Sequence, residues 1–187
     1  MKKVLLSFAL AAIIATGTAF ADHPDGFGIG VVGSYGFGTV GYAGAGGGLS
    51  LKIPGVPVFW AINAAFGTGY FGVGLTGDYY IIDEVIASDI GLNWFLGVGG
   101  FFSWYHWSFT TFGGYTYDNL SFGARVPIGI SWQPIPMLEI FADVAPSIGA
   151  FMNGKWSYKV SGVETSGGGD LGLYWGVPIE LGIRLWF

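Results

Sequence analysis

Chemistry-bearing side chains are scarce in this 187-residue chain, which has 10% charged residues, two histidines and no cysteine. Seven of the charged residues, Lys52, Asp78, Arg125, Glu139, Asp143, Glu180 and Arg184, are scattered through segments dominated by apolar residues and glycine. Charges placed in that way are costly unless they neutralise one another, so their first reading is as buried ion pairs. Glu139 and Asp143 also invite an acid–base reading. Four residues apart on a strand they would be roughly 13 Å apart, beyond the roughly 6.5–9.5 Å of inverting two-carboxylate glycosidases. Pairing is the expectation.

The histidines offer little more. His106 lies in Ser103-Trp104-Tyr105-His106-Trp107-Ser108, and Ser103 or Ser108 with Asp118 could complete a hydroxyl–imidazole–carboxylate set. The competing reading is a loop histidine without catalysis. Two histidines without thiolates make no convincing metal site. Gly28-Ile29-Gly30-Val31-Val32-Gly33 has the glycine spacing of a dinucleotide loop, but no acidic residue falls between Gly33 and Asp78. The stretch also reads as strand, where that loop needs strand, turn and helix. No cofactor, no metal and no enzymatic activity are expected.

The elements that must position these residues begin after a leader. Met1-Lys2-Lys3, an apolar run from Val4 to Ala15 and the small-residue site Ala19-Phe20-Ala21 have the layout of a secretory signal peptide over 1–21. Residues 22–187 then carry five basic and twelve acidic side chains, a net charge of −7 that argues against nucleic acid as a partner. Beyond the leader the dominant period is two. Leu171, Leu173, Trp175, Val177, Ile179, Leu181, Ile183, Leu185 and Phe187 alternate with glycine, Tyr174, Glu180, Arg184 and Trp186. The same alternation marks seven earlier segments, near 27–35, 49–53, 58–66, 71–81, 90–98, 122–132 and 138–148, so eight strands are predicted. Pro127, Pro146 and Pro178 fall inside these segments and belong at bulges or rims.

Two closed barrels could use such strands. With the apolar face inside, the water-facing side would be mostly glycine with one or two charges per strand. With the apolar face against lipid, glycine suits the narrow interior of eight strands, and closure pairs every backbone group. The second is the expectation: an all-β, eight-stranded antiparallel up-and-down transmembrane barrel over 22–187. Tight turns at 54–57 and 133–136 and a modest link at 83–89 share one end with both termini. Longer loops, 36–44, 103–119 and 153–170, lie outside, with a short one at 67–70. Trp60, Tyr79, Tyr80, Trp94, Trp132 and Trp186 would form an inner aromatic girdle. Phe101, Phe102, Trp104, Phe151, Tyr174 and Trp175 would form an outer one.

This pattern resembles the small eight-stranded outer-membrane barrels of the OmpA-transmembrane, OmpX and OmpW-like group. The end, Leu181-Gly182-Ile183-Arg184-Leu185-Trp186-Phe187, is similar to that group's C-terminal signal for the barrel assembly machinery, which implies recognition through Leu181, Ile183, Leu185 and Phe187. Leu96-Gly97-Val98-Gly99-Gly100, Arg125-Val126-Pro127-Ile128-Gly129 and Glu139-Ile140-Phe141 are similar to barrels of unassigned function from spirochaetes. The implied location is the bacterial outer membrane, with its lipid as a partner.

Turn counting places Arg125 nearly opposite Asp143, and Glu139 beside Arg184 near the inner rim with Glu180 deeper. A salt-bridge plug of Arg125, Glu139, Asp143, Glu180 and Arg184 is expected, with an ion path as the alternative. Trp104, Tyr105, His106, Trp107, Trp156 and Tyr158 are the candidates for contact with a host or surface ligand through the outer loops, with anchoring of the loop aromatics in the lipid headgroups as the alternative. The expected role is structural or surface interaction. A narrow channel for small or apolar solutes, as in the OmpW-like proteins, and a lipid A-modifying enzyme are the alternatives.

Overall fold

A computed structural model describes residues 23–39, 44–109, 115–160 and 162–187. The expected leader, 1–21, lies outside them. All regular elements described are strands: β1 (Gly28–Gly38), β2 (Gly44–Lys52), β3 (Phe59–Gly67), β4 (Tyr70–Ala87), β5 (Leu92–Phe109), β6 (Tyr115–Arg125), β7 (Ile128–Ile135), β8 (Leu138–Val144), β9 (Ser147–Val160), β10 (Val163–Gly167) and β11 (Leu171–Trp186). They make eight staves, because β6 continues as β7, β8 as β9, and β10 as β11. Each stave is antiparallel to its neighbour in sequence, and β11 pairs with β1 to close the ring. Closure pairs the staves all round the ring, the condition a sheet must meet in hydrocarbon, and an edge remains only in the outer ladder described, where β10 pairs with β9 alone.

The faces sort by chemistry. Leu181 is 61% exposed, whereas Glu180 is 4% and Arg184 2%. The same split runs round the ring: Val31, Leu49, Ile62, Leu75, Ile130 and Ile148 point outward, and Ser50, Thr76, Asn119, Ser121 and Ser131 are buried within. A water-soluble barrel reverses this arrangement; an apolar outside and a polar inside is the membrane-spanning one. β4 and β5 have 18 residues each, more than the roughly 9–11 a membrane strand needs, so both extend beyond the apolar belt.

Glycine makes room for large side chains inside this narrow ring. Among the glycines that stand directly opposite an aromatic residue are Gly67 with Tyr70, Gly72 with Tyr105, Gly167 with Trp156, Gly172 with Phe151, and Gly182 with Phe141. At each, the ring lies where a Cβ would be. Gly55 and Gly69 have a different task, holding turns at φ 70° and 76°.

The prolines bend the wall. Pro127 and Pro146 sit in the breaks between β6 and β7 and between β8 and β9, and Pro178 is inside β11. Their carbonyls accept from Gly97, Val126 and Ala145 at 2.8, 3.0 and 2.9 Å, which aligns the three bends across neighbouring staves. The outer segments are shorter loops than the sequence predicts. Strand continues through 103–109, 115–119, 153–160 and 163–167, as a projecting ladder in which Trp107 aligns with Tyr117 and Trp156 with Gly167. Residues 40–43, 110–114 and 161 of the expected loops lie outside the described set.

Candidate functional site

The charged residues gather inside the barrel in two centres. Arg125, at the end of β6 just before the bend at Pro127, donates to Glu180 from Nη1 and Nη2 at 2.9 and 2.8 Å. Its Nε lies 3.2 Å from Asp78 of β4, and Nη2 lies 3.8 Å from Asp143 of β8. Asp143 and Glu180 are direct cross-strand partners, a repulsive arrangement by itself. The guanidinium between them is what makes it tolerable. All four side chains are buried.

Nearer the inner end, Arg184 and Glu139 face each other in register and bond at 2.6 Å. Arg184 also donates to Ser50 Oγ from Nε and Nη2 at 3.3 and 2.9 Å. Its guanidinium lies 4.8, 4.7 and 5.5 Å from the rings of Phe59, Phe141 and Trp186. Trp186 Nε1 donates to Glu139 at 2.8 Å. Lys52 stands apart from both centres at the inner mouth, 5.6 Å from the Phe59 ring, donating to the Ile53 carbonyl at 3.3 Å and lying 3.8 Å from Asp25.

The network thus differs from the five-residue cluster expected of it. Asp78 joins Arg125, and Glu139 with Arg184 form a separate pair. Arg125 aligns with Ser147, while Asp143 aligns with Gly129. Straight turn counting misplaces them because the chain bends at Pro127 and Pro146 before the pairing resumes.

His23 belongs to the second centre, and the pattern of period two gave no sign of it, since it precedes the first strand. Its backbone N–H and Nδ1 both engage Asp83, and Nε2 lies 3.0 Å from Glu139. Burial alone would lower its pKa, but the two hydrogen bonds and the charges of Glu139 and Asp83 outweigh that, holding the imidazole up at about 9 against an ordinary 6.5.

A cavity of about 20 Å³ separates the centres, bounded by Ser50, Thr76, Asp78, Glu180 and Arg184 among others. That is room for about one water molecule. Toward the outer end the lumen is neutral. Phe101 packs on Tyr174 at 4.7 Å, and Ser121, Asn119 and Asn153 form a chain at 2.8 and 3.3 Å that also takes in Tyr117.

The predicted contact residues divide between two faces. Trp104 and His106 alternate with the buried Ser103, so they lie on the outward face, where His106 Nδ1 meets Asp118 at 2.9 Å. Ser103 therefore cannot serve His106 as a nucleophile. Tyr105 lies over Gly72, and Trp107 stacks on Tyr70 at 4.9 Å. Trp156 lies over Gly167, and the Tyr158 backbone pairs with Tyr115 and Thr165.

The girdles are also thinner than predicted, because Tyr80, Phe101, Tyr174 and Trp186 are buried inside. Trp60, Tyr79 and Trp94 are half-buried, and Trp132 and Trp175 are exposed. At the C-terminus Leu181, Ile183, Leu185 and Phe187 are exposed on the outer face, and Phe187 exchanges backbone hydrogen bonds with Phe27 at 3.1 and 2.8 Å. Among the described residues no group of three or more potential ligands could hold a metal ion.

The chain is similar in fold to solved outer-membrane barrels. A major outer membrane protein from Thermus thermophilus matches with a TM-score of 0.53 and 14% identity, covering 86% of this chain and 99% of that one. Neisserial surface protein A matches with a TM-score of 0.46 and 11% identity, over 86% and 96% of the two chains. The N-terminal barrel domain of Pseudomonas aeruginosa OprF matches at 0.45 and 9%, over 84% and 96%. No curated protein sequence matches the chain. The architecture is that of a small outer-membrane β-barrel. The model of a family of proteins of unknown function, DUF3996, matches residues 47–174, more than half of the length, and the chain belongs to that family.

Proposed function

We propose that this protein is a sealed barrel of the outer membrane whose role is to hold its projecting outer hairpins at the cell surface for contact with a surface ligand. The observation that carries this reading is the Arg125 centre, a buried cross-brace from β6 to β4, β8 and β11 at a level where a pore would have to be open. With the Arg184 centre beneath it, the lumen offers solutes no water-filled way through. The outer strands favour the surface role, since they continue past the apolar belt as paired ladders bearing Trp104, His106 and Asp118 on the outward face.

Planar-bilayer recording of the purified barrel tests the seal. The expected trace shows no steady conductance above that of the lipid; large, long-lived channels in the native protein would overturn the reading in favour of a porin.

A further inference from the structure

The inner end of the barrel holds an imidazole in a cage. The His23 ring lies 5.2 Å from Phe59, 5.5 Å from Tyr80, 6.1 Å from Phe95 and 6.3 Å from Trp186, centroid to centroid. Each ring nitrogen meets a carboxylate, Nδ1 that of Asp83 and Nε2 that of Glu139. Ionised carboxylates only accept hydrogen bonds, so a ring making both bonds carries both protons and is a monocation. Asp83 comes from β4 and Glu139 from β8, staves that are not neighbours, so the two anions are held apart by the width of the cation between them. Aromatic rings around a centre flanked by carboxylates have the chemistry that recognises an organic cation.

Nothing in the strand pairing requires His23 to be the occupant. It precedes β1, in the segment 23–27, and lies outside the strands that build the cage. Asp83 Oδ1 is buried and has no hydrogen-bond partner among the described residues, which leaves an acceptor for a donor-rich guest. A cavity of about 430 Å³ adjoins the cage, lined by His23, Asp25, Lys52, Phe59, Tyr79 and Tyr80. The groups that set its charge are Asp83 and Tyr80 from β4, Glu139 from β8, Arg184 from β11, Lys52 from β2 and Asp25 in the segment 23–27. Lys52 and Arg184 disfavour a dication, and the two carboxylates disfavour an anion.

We propose that the inner mouth is a binding site for a small organic monocation of the imidazole or amine class, filled in the native chain by His23 as a tethered ligand, and open to such a cation when that side chain is removed. The proposal stands independently of the surface role.

His23→Ala empties the cage in the full-length barrel. At pH 6, imidazole, which is largely protonated there, is compared with pyrazole, its neutral isostere. Imidazole at about a hundredfold excess over its dissociation constant is expected to raise the heat-unfolding midpoint of His23→Ala by several degrees, roughly 5 °C. It should also change the Trp186 fluorescence saturably. Pyrazole should do neither, and the native protein should not respond to imidazole over the same range. If the variant folds poorly, its refolding yield with each additive gives the same comparison. Equal effects of the two additives, no effect of imidazole, or an equal effect on the native chain would overturn the proposal. In the native protein, nitrogen NMR of labelled histidine at pH 8 should find His23 doubly protonated, and a neutral ring there would also overturn it.

Discussion

Two arginines are buried in this lumen, and the surroundings that hold them differ. Arg184 has its carboxylate directly across the ladder, a serine on the other side, aromatic rings around it, and a second cation, His23, sharing Glu139. Cations and carboxylates balance there: Arg184 and His23 against Glu139 and Asp83. Arg125 has no ladder partner of opposite charge and stands alone among Asp78, Asp143 and Glu180. The Arg184 centre follows from strand register; the Arg125 centre is assembled by bends that bring distant staves to one guanidinium. Removing a cation should therefore do more harm where no other replaces it.

The largest expected effect follows from that contrast. Arg125→Met leaves three buried carboxylates uncompensated and should cost at least about 3–5 kcal/mol, the range for breaking a buried pair. Arg184→Met leaves His23 to face Glu139 and should cost less. Urea unfolding of the two variants in one detergent checks the order; equal losses would show that the centres are not distinct in kind.

A smaller effect separates the centres by pH. Because the folded-state pKa of His23 is raised, its stabilisation is complete below about 6.5 and is lost as pH rises through about 9. The shift corresponds to about 3 kcal/mol. Unfolding free energy should fall across that window in the native protein and fall less in His23→Gln. A flat profile would detach His23 from the Arg184 centre.

The smallest effect concerns the wall. Gly182→Ala places a methyl against the ring of Phe141, which packs on Arg184, and should cost about 1–3 kcal/mol. Gly33→Ala meets nothing closer than 3.8 Å and should cost far less. Unfolding midpoints of the two alanine variants supply the comparison.

These differences also mark what was legible in the sequence. Alternation of Leu181 and Ile183 with Glu180 and Arg184 reports two environments without any knowledge of the partner strands. Glu139 could be placed beside Arg184 because both stand near the inner ends of adjacent strands, Glu139 just after the turn at 133–136 and Arg184 close before Phe187. Turn counting brought Arg125 toward Asp143, which it meets at 3.8 Å, but missed its register, since a bend at a proline changes register without changing the hydrophobic pattern. Residues 103–109 read as loop because both faces there carry aromatic or polar side chains; beyond the apolar belt no lipid imposes alternation. Tyr80, Phe101, Tyr174 and Trp186 read as girdle from their places near strand ends, although the alternation already puts Tyr174 and Trp186 on the face of Glu180 and Arg184. His23 was hidden for a simpler reason. A segment that inserts from outside the strands leaves no periodic trace.

The chain contains no cysteine, so single cysteines can report directly on which face meets lipid. Leu75 and Thr76, and likewise Ile130 and Ser131, are neighbours with opposite exposure. With a fluorophore attached at each in turn, brominated lipid is expected to quench strongly at 75 and 130 and weakly, or with poor labelling, at 76 and 131. Equal quenching at neighbouring positions, or quenching confined to 76 and 131, would contradict an apolar exterior wrapped around a charged interior.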